Sequence, residues 1–552
     1  MAKFSRWMKK LVNQAAPSVT LWVVVVLGYL PVMLILRNPP ALMGDEAYYA
    51  RCPLEMSNRG DFWAPYFNGQ PRFKKPPLCY WTVAAAYRIF GISETTARMP
   101  SLLAVILTAL LLSVWATRES GPALGQWSGP AFLLMPMTAL LSQAAIPEAT
   151  LTLLVTASCL SGWLAFRSER GSLLWTVVSG AAMGLAFLCK ALPGFLPLLI
   201  LFPLVIQHRT EGLKKMILMV AVAVAIGGPW LLGMHARFGK DFWEVFLFRE
   251  HLQRVTSPLE GHSGPVWYYL PVVLIGAFPW SLRLVSGWVA GLKELVSWFS
   301  SVAKGNPSSL SVMGWISWWL TVVLLLFSLT TTKLPHYIFP ALPAVAWLSS
   351  NSLRQRASIA DLLWIVLTLI LGAVSLWMVG SRVEALYGEA VLRYGFGTGG
   401  EESLLGLLAS GLVMVALLAG VGFLIFSLAS RMPSPTSSVQ VILRGLLFPT
   451  AALFIFAILM IGWAVTSLTG GRSAVAQWAA APEKVTFGPD MEWAVFYSAD
   501  TVPMLSSVES LVDYLKSNKE ALVLARVDQA DKLRKAKVKM VRYGMWVVGR
   551  RE

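Results

Sequence analysis

Apolar runs of about 17 to 26 residues recur along most of this chain, and no other feature narrows its fold so far. Such runs match a hydrocarbon layer of roughly 30 Å. Composition agrees: only 14% of the residues are charged and 56% are hydrophobic, where a soluble domain carries about a quarter charged residues. The pattern is that of a polytopic α-helical membrane protein. The first run, "SVTLWVVVVLGYLPVMLIL", follows Lys3, Arg6, Lys9 and Lys10 in the manner of a signal peptide. It is too long for that apolar segment and reads as an uncleaved anchor.

The runs predict spans at about 19–37, 97–117, 122–144, 147–166, 172–189, 191–207, 216–234, 265–284, 310–329, 335–350, 361–380, 404–429 and 441–467. The segment "LCYWTVAAAYRIFG", residues 78–91, is apolar but short and carries Arg88. Leaving it out places Arg118, Arg167, Lys214, Lys215, Lys293, Arg354 and Arg431 together in one set of connections. This is the positive-inside pattern. The expectation is therefore about thirteen spans, with the amino terminus inside and the carboxyl terminus outside. The formal charge of +17 belongs to this topology and not to a nucleic-acid face. Residues 1–469 form the transmembrane domain. Residues 470–552 read as a small α/β extracytoplasmic domain, with strands at "EWAVFYS", "ALVLAR" and "VRYGMWVVGR" around a helix at "SSVESLVDYLKSNKE".

The same topology gathers the chemically interesting segments on the outer face. In "MGDEAYYA", Asp45 and Glu46 follow the first apolar run. One reading makes Asp45 the cap of a helix starting at Ala47. The other makes it a general base for an acceptor hydroxyl, since ionisable groups at membrane depth are functional by default. Lys74 and Lys75 precede two prolines and suit either anionic head groups or a bound phosphate. Glu148, in "IPEAT", is either a helix-start acid favoured by the dipole or a second acid of the site. "FREHLQRV" supplies His251 and Arg254, and "TKLPHYIFPALP" supplies Lys333 and Tyr337. Glu148 with His251 offers two groups to a divalent metal, a pair too sparse to define a site. Cys52 and Cys79 share a loop and are read as unpaired thiols, with pairing left open. No glycine-rich phosphate loop is present, which argues against a nucleotide-sugar donor. Acids beside cations on an apolar body suit a lipid-tailed, phosphate-linked sugar.

The segments "GDEAYYA", "NGQPRFKKPPLCYW", "PEATLTL", "CKALPGFLPLL", "REHLQRV" and "TTKLPHYIFPALPA" resemble the GT-C glycosyltransferases of the bacterial aminoarabinose-transferase and protein-mannosyltransferase group, over the chain up to about residue 350. The resemblance implies a bacterial inner-membrane enzyme working on its outer, periplasmic face with a polyprenyl-phosphate sugar. It implies Asp45, Glu46 and Glu148 as catalytic acids, and Lys75, Lys74, Lys333 and Tyr337 at the donor phosphate. His251, Arg254 and Tyr48 fall in the acceptor or donor loop. Aminoarabinose transferases tend to have an arginine where Tyr48 stands, a glutamate at Lys74 and an aspartate at Glu148, so the group carries over and the amino sugar does not. Membrane lipids, the lipid donor and a lipid A-like, glycan or protein acceptor are the expected partners. A lipid-linked sugar translocator or a lipid-binding membrane protein without transfer chemistry is the alternative from another class, and a ligase with a pyrophosphate donor is the alternative within the superfamily.

Overall fold

The computed structural model describes Leu42 and residues 44–168, 171–253, 263–305, 308–352, 471–489, 491–498, 500–543 and 545–551. The expected spans at 19–37, 361–380, 404–429 and 441–467 lie outside the described residues, as does Arg254. The side chain of His251 lies outside them too.

Helix α1 (Asp45–Arg59) leads into a hairpin of β1 (Tyr66–Phe67) and β2 (Gln70–Pro71), then α2 (Leu78–Phe90) and α3 (Glu94–Ser120). The body continues through α4 (Pro122–Leu133), α5 (Pro136–Leu141), α6 (Glu148–Arg167), α7 (Ser172–Lys190) and α8 (Leu196–Trp243). A π-helical stretch, Glu244–Gln253, precedes α9 (Tyr269–Gly276), α10 (Ser281–Ala303), α11 (Val312–Leu329) and α12 (Leu342–Ser352). Among the described residues, five helical stretches are long and apolar enough to cross a membrane: α3, α6, α7, α11 and the run Leu192–Glu250 that contains α8. Leu103, Leu107, Leu110 and Leu111 form an exposed stripe along α3, the surface a lipid-facing helix presents.

Several expected spans have a different local form. The 122–144 stretch is two short helices, because Pro136 starts a new helix after Met135 turns extended. Where the apolar pattern predicts separate spans at 191–207 and 216–234, α8 runs on and breaks its helical backbone at Arg209 and Gly239. The 265–284 stretch divides between α9 and α10, and Pro335–Ala341 is a 3-10 turn ahead of α12. Helix α2 has 13 residues, about 20 Å of rise and too short for a crossing.

The body packs closely through small residues. A Cβ on Gly125 would lie 1.7 Å from Thr117 Oγ1, and one on Gly129 would lie 2.3 Å from Ser113 Oγ. These glycines, four apart on α4, let it approach α3 backbone to backbone, as helices do in lipid, where dispersion and not hydrophobicity drives association. Gly180 and Gly184 set α7 against α8 in the same way. A stack of buried tryptophans, Trp115, Trp163, Trp315 and Trp319, fills the centre.

The carboxyl-terminal segment holds a five-stranded sheet of order β4-β3-β5-β7-β6, with β3 (Lys484–Phe487), β4 (Met504–Leu505), β5 (Leu522–Arg526), β6 (Val538–Tyr543) and β7 (Trp546–Arg551). Helices α13 (Gly471–Ala479), α14 (Val508–Ser517) and α15 (Ala530–Lys535) accompany it. The run "VRYGMWVVGR" is a hairpin of two strands. The strand expected at "EWAVFYS" is instead a 3-10 helix, Glu492–Tyr497. Trp493, Ala494, Val495 and Phe496 are all buried, and an apolar run buried on every side carries no period that separates strand from helix. This segment docks the sheet on the body: Trp493 packs on Trp546, and Phe496 joins Ala50, Val83 and Tyr87.

Candidate active site

Gly44, at φ 55°, turns the chain into α1 in a conformation that side chains resist. Asp45 is therefore the first helical residue and makes no capping hydrogen bond, so the reading of Asp45 as a helix cap does not hold. Both acids lie in the first turn, where the helix dipole favours them, yet their side chains diverge. Asp45 is exposed and lines a narrow cleft of about 50 Å³. Glu46 does not line it. Its carboxylate accepts from Arg98 Nε and Nη2, both at 2.8 Å, and from the Ala145 N–H at 2.9 Å. That fork ties α1 to α3 and to the turn carrying Glu148.

The hairpin delivers the lysines. Asn68 and Gly69 both have positive φ, the turn that a two-residue hairpin favours. Their N–H groups donate to Glu55 at 2.8 and 2.9 Å. Arg72, Lys74 and Lys75 follow and line the same cleft, and Pro77 then starts α2. The Arg72 guanidinium covers the Tyr48 ring at 3.8 Å. Burial, followed by the nearby Glu492 carboxylate, pushes the Tyr48 hydroxyl up to about 12. Tyr48 supports Arg72 and does not itself line the cleft, whereas Tyr49 does. Glu250, 4% exposed, lies 3.1 Å from Lys75 Nζ and 4.0 Å from Lys74 Nζ.

Glu148 opens α6 and is 2% exposed. Its Oε1 accepts from Lys190 Nζ at 2.5 Å and lies 3.3 Å from His336 Nε2. Lys190 Nζ also sits 4.4 Å from the Tyr337 ring centroid. Glu148, Lys190, His336 and Tyr337 all line the cleft that holds Asp45 and Lys75. Lys333 is not among the lining residues. Its ammonium donates to the Ser328 carbonyl at 3.0 Å and to the Thr330 carbonyl, and burial lowers its pKa. Cys52, Cys79, Cys159 and Cys189 are all free. The sulfur beside Cys79 is that of Cys189, at 2.9 Å, and not that of Cys52, whose thiol burial pushes up to about 12.

The cleft thus joins Asp45, Glu148, Lys74, Lys75 and Tyr337. It adds Arg72 and Lys190, which the sequence did not single out. Lys190 ends an apolar helix, and from sequence it is an ordinary cation at a helix carboxyl end. Among the described residues, no three His, Cys, Asp or Glu side chains converge as metal ligands. The Glu148 oxygen nearest His336 already holds an ammonium, a poor ligand set for a divalent ion.

Residues 74–232 match the family model described as dolichyl-phosphate-mannose-protein mannosyltransferase. The chain is 33% identical over 325 residues to undecaprenyl phosphate-alpha-4-amino-4-deoxy-L-arabinose arabinosyl transferase 2 of Pseudomonas fluorescens, covering 56% of this chain and 52% of that protein. It is likewise 33% identical over 321 residues to the corresponding transferase of Edwardsiella ictaluri, covering 56% and 55%. The chain therefore matches about half the length of these curated relatives. In structure it is similar to ArnT from Cupriavidus metallidurans bound to undecaprenyl phosphate, with a TM-score of 0.73 and 22% identity over 99% of this chain and 98% of that one. That likeness shows the fold, a multi-pass helical membrane protein.

Proposed function

We propose that this chain is an inverting glycosyltransferase that moves a sugar from a polyprenyl-phosphate donor to an acceptor hydroxyl at the outer face of a bacterial cytoplasmic membrane. One observation carries this reading. Asp45, Lys75, Glu148 and His336, spread over almost 300 residues, line one cleft on a helical body. The relatives, transferases of an undecaprenyl-phosphate-linked sugar, supply the donor class.

In this reading Asp45 takes the proton of the acceptor hydroxyl as its oxygen attacks the anomeric carbon. The bond from that carbon to the phosphate oxygen breaks, and the departing lipid phosphate gains one negative charge. Lys75, with Lys74 and Arg72 beside it, meets that charge, the kind of stabilisation that dominates such steps. Glu250 holds the lysines until the phosphate enters. Glu148 orients the sugar, and Tyr337 with Lys190 closes that side. Glu46 acts by fixing the turn before Glu148, and Lys333 by ordering the backbone of 328–330. About thirteen spans, with residues 470–552 outside, complete the topology. The acceptor is a glycolipid such as lipid A, a glycan or a protein.

The test is acceptor-dependent release of polyprenyl phosphate by protein purified in lipid. The expected result is release that Asp45→Asn abolishes while binding of the lipid phosphate persists. Normal transfer by the variant would sink the proposal, and transport of labelled lipid sugar without any release would favour a translocator.

A further inference from the structure

No residue beyond Tyr337 is among the described residues lining the cleft, so the carboxyl-terminal segment contributes no side chain to it. That segment nevertheless holds both elements to which the transferase reading above, on which this inference rests, assigns the chemistry. The first is the lysine hairpin. Asn68 Nδ2 donates to the Val502 carbonyl and Asn68 Oδ1 accepts from the Val502 N–H, both at 2.8 Å. The carboxamide thus pairs with Val502 as the peptide group of a neighbouring strand would. Beside it Arg51 Nη1 donates to the Ser498 carbonyl at 2.5 Å, and Arg51 Nε donates to Glu55 at 2.8 Å. Glu55 is the carboxylate that holds the hairpin turn, and it and Arg51 are each 6% exposed. The bonds to Ser498 and Val502 use backbone atoms of that segment. The hairpin therefore registers against the path of the chain there and not against its side chains.

The second element is the start of α1. Tyr497, adjoining Ser498, accepts from the Leu42 N–H at 3.0 Å and donates to Glu94 at 3.2 Å. Ala47 is fully buried and packs in one cluster with Trp478, Trp493 and Trp546. Leu42 and Ala47 bracket Gly44 and Asp45, so the carboxyl-terminal segment holds the chain on either side of the base. A single stretch, residues 497–502, thus meets Asp45 through Leu42 and the lysines through Asn68. A hydroxyl proton and a leaving phosphate are handled in the same step, and a misplacement near 1 Å between the groups that meet them costs about 100-fold in rate.

We propose that residues 497–502 are a positioning element of the transferase site, in which Asn68 registers the hairpin lysines and Tyr497 registers Asp45 against one short stretch of backbone. Asn68 and Tyr497 are positioning residues, each acting through its neighbours.

Two variants separate the two arms. Asn68→Gly keeps the positive φ that the turn requires and removes only the carboxamide. Tyr497→Phe keeps the ring and removes only the hydroxyl. The full-length protein in lipid nanodiscs is titrated with undecaprenyl phosphate. Release of that lipid is then followed from undecaprenyl-phosphate hexose or 4-amino-4-deoxy-L-arabinose, whichever the wild type consumes, with extracted bacterial membrane glycolipid as acceptor. Asn68→Gly should raise the Kd for undecaprenyl phosphate about 5- to 30-fold, the range of one to two net hydrogen bonds. Tyr497→Phe should leave that Kd within about twofold and lower kcat about tenfold, because the lysines keep their anchor and Asp45 loses one. A purely structural role would move both constants alike in both variants. Hydrogen exchange on the wild type adds a readout that needs neither variant nor sugar. Undecaprenyl phosphate should slow exchange at 498–502 as well as at 70–75, since coupling between two sites is reciprocal. If a variant shows no thermal transition and so does not fold, this exchange decides. Equal Kd values for the two variants, wild-type behaviour of both, or no slowing at 498–502 overturns the inference and leaves the transferase reading standing. If the wild type neither binds undecaprenyl phosphate nor releases it from either donor, the transferase reading falls and takes this inference with it.

Discussion

Replacing Glu46 by alanine separates an anchoring carboxylate from a catalytic one. In the structure Glu46 makes three hydrogen bonds, two from Arg98 and one from the Ala145 N–H. Arg98 is only 3% exposed. Truncation removes the carboxylate that forks onto a buried guanidinium, and loss of one partner of such a buried pair costs about 3–5 kcal/mol. Glu46 is itself 17% exposed at the side chain, so water reaches the pair and the lower end, about 3 kcal/mol, applies. An unfolding entropy of about 2 cal/mol/K per residue gives a chain of 552 residues roughly 1.2 kcal/mol/K, so the midpoint should drop by about 2–3 °C. Ala145 lies three residues before Glu148, and the freed turn misplaces that carboxylate. A shift near 1 Å costs about 100-fold in rate. The assay pairs thermal unfolding in nanodiscs with donor-consumption kinetics and lipid-phosphate binding. Glu46→Ala should lower kcat about 10- to 100-fold while the Kd for undecaprenyl phosphate, governed by the hairpin lysines, stays within about threefold of wild type. Glu46→Gln keeps one acceptor and should fall between. Complete loss of activity with an unchanged midpoint would mean that Glu46 takes part in the chemistry. A midpoint and rate both equal to wild type would mean that the fork anchors nothing.

Two further outcomes follow from the same geometry. Lys75→Gln should raise the Kd for undecaprenyl phosphate about 10- to 100-fold, the worth of a charge-assisted hydrogen bond, whereas Lys333→Gln should change it less than about threefold and lower the midpoint instead; titration by fluorescence or calorimetry distinguishes the two, and equal losses would refute the placement of Lys333. Asp61 forks onto Arg237 at 2.9 and 2.6 Å, and that hydrogen bonding lowers its carboxyl to about 2. A depressed carboxyl stabilises the fold above the ordinary pKa near 4 and loses that contribution as pH falls toward 2. Arg237 is 41% exposed at the side chain, so the contribution stays below about 1 kcal/mol, and in thermal scans Asp61→Asn should destabilise at pH 7, with the gap to wild type narrowing below about pH 4 and closing only as pH falls through about 2.

Much of the site was legible because its residue types sit at unusual places in an apolar chain. Asp45, Lys74, Lys75, Glu148 and Tyr337 stand in or beside the connections of one inferred face, and they do line one cleft. Adjacency in sequence misled for Glu46, since neighbouring residues on a helix point about 100° apart. Lys333, also read as a phosphate ligand, is turned toward backbone carbonyls. Lys190 escaped notice because its partner is 42 residues away. Nothing local marks it off from any lysine closing a helix.

By itself the sequence determined what solvent requires: long apolar helices, basic connections, and acids and lysines held at the helix ends, because each unpaired charge in hydrocarbon is costly wherever it lies along the chain. The tertiary structure alone decided which charges meet. Pairing of Glu148 with Lys190, Glu250 with Lys75 and Glu46 with Arg98 depends on how α1, α3, α6 and α7 cross and where the Glu244–Gln253 segment returns. Those approaches are set by glycine-lined helix contacts and side-chain packing, which have no period that can be read from the chain.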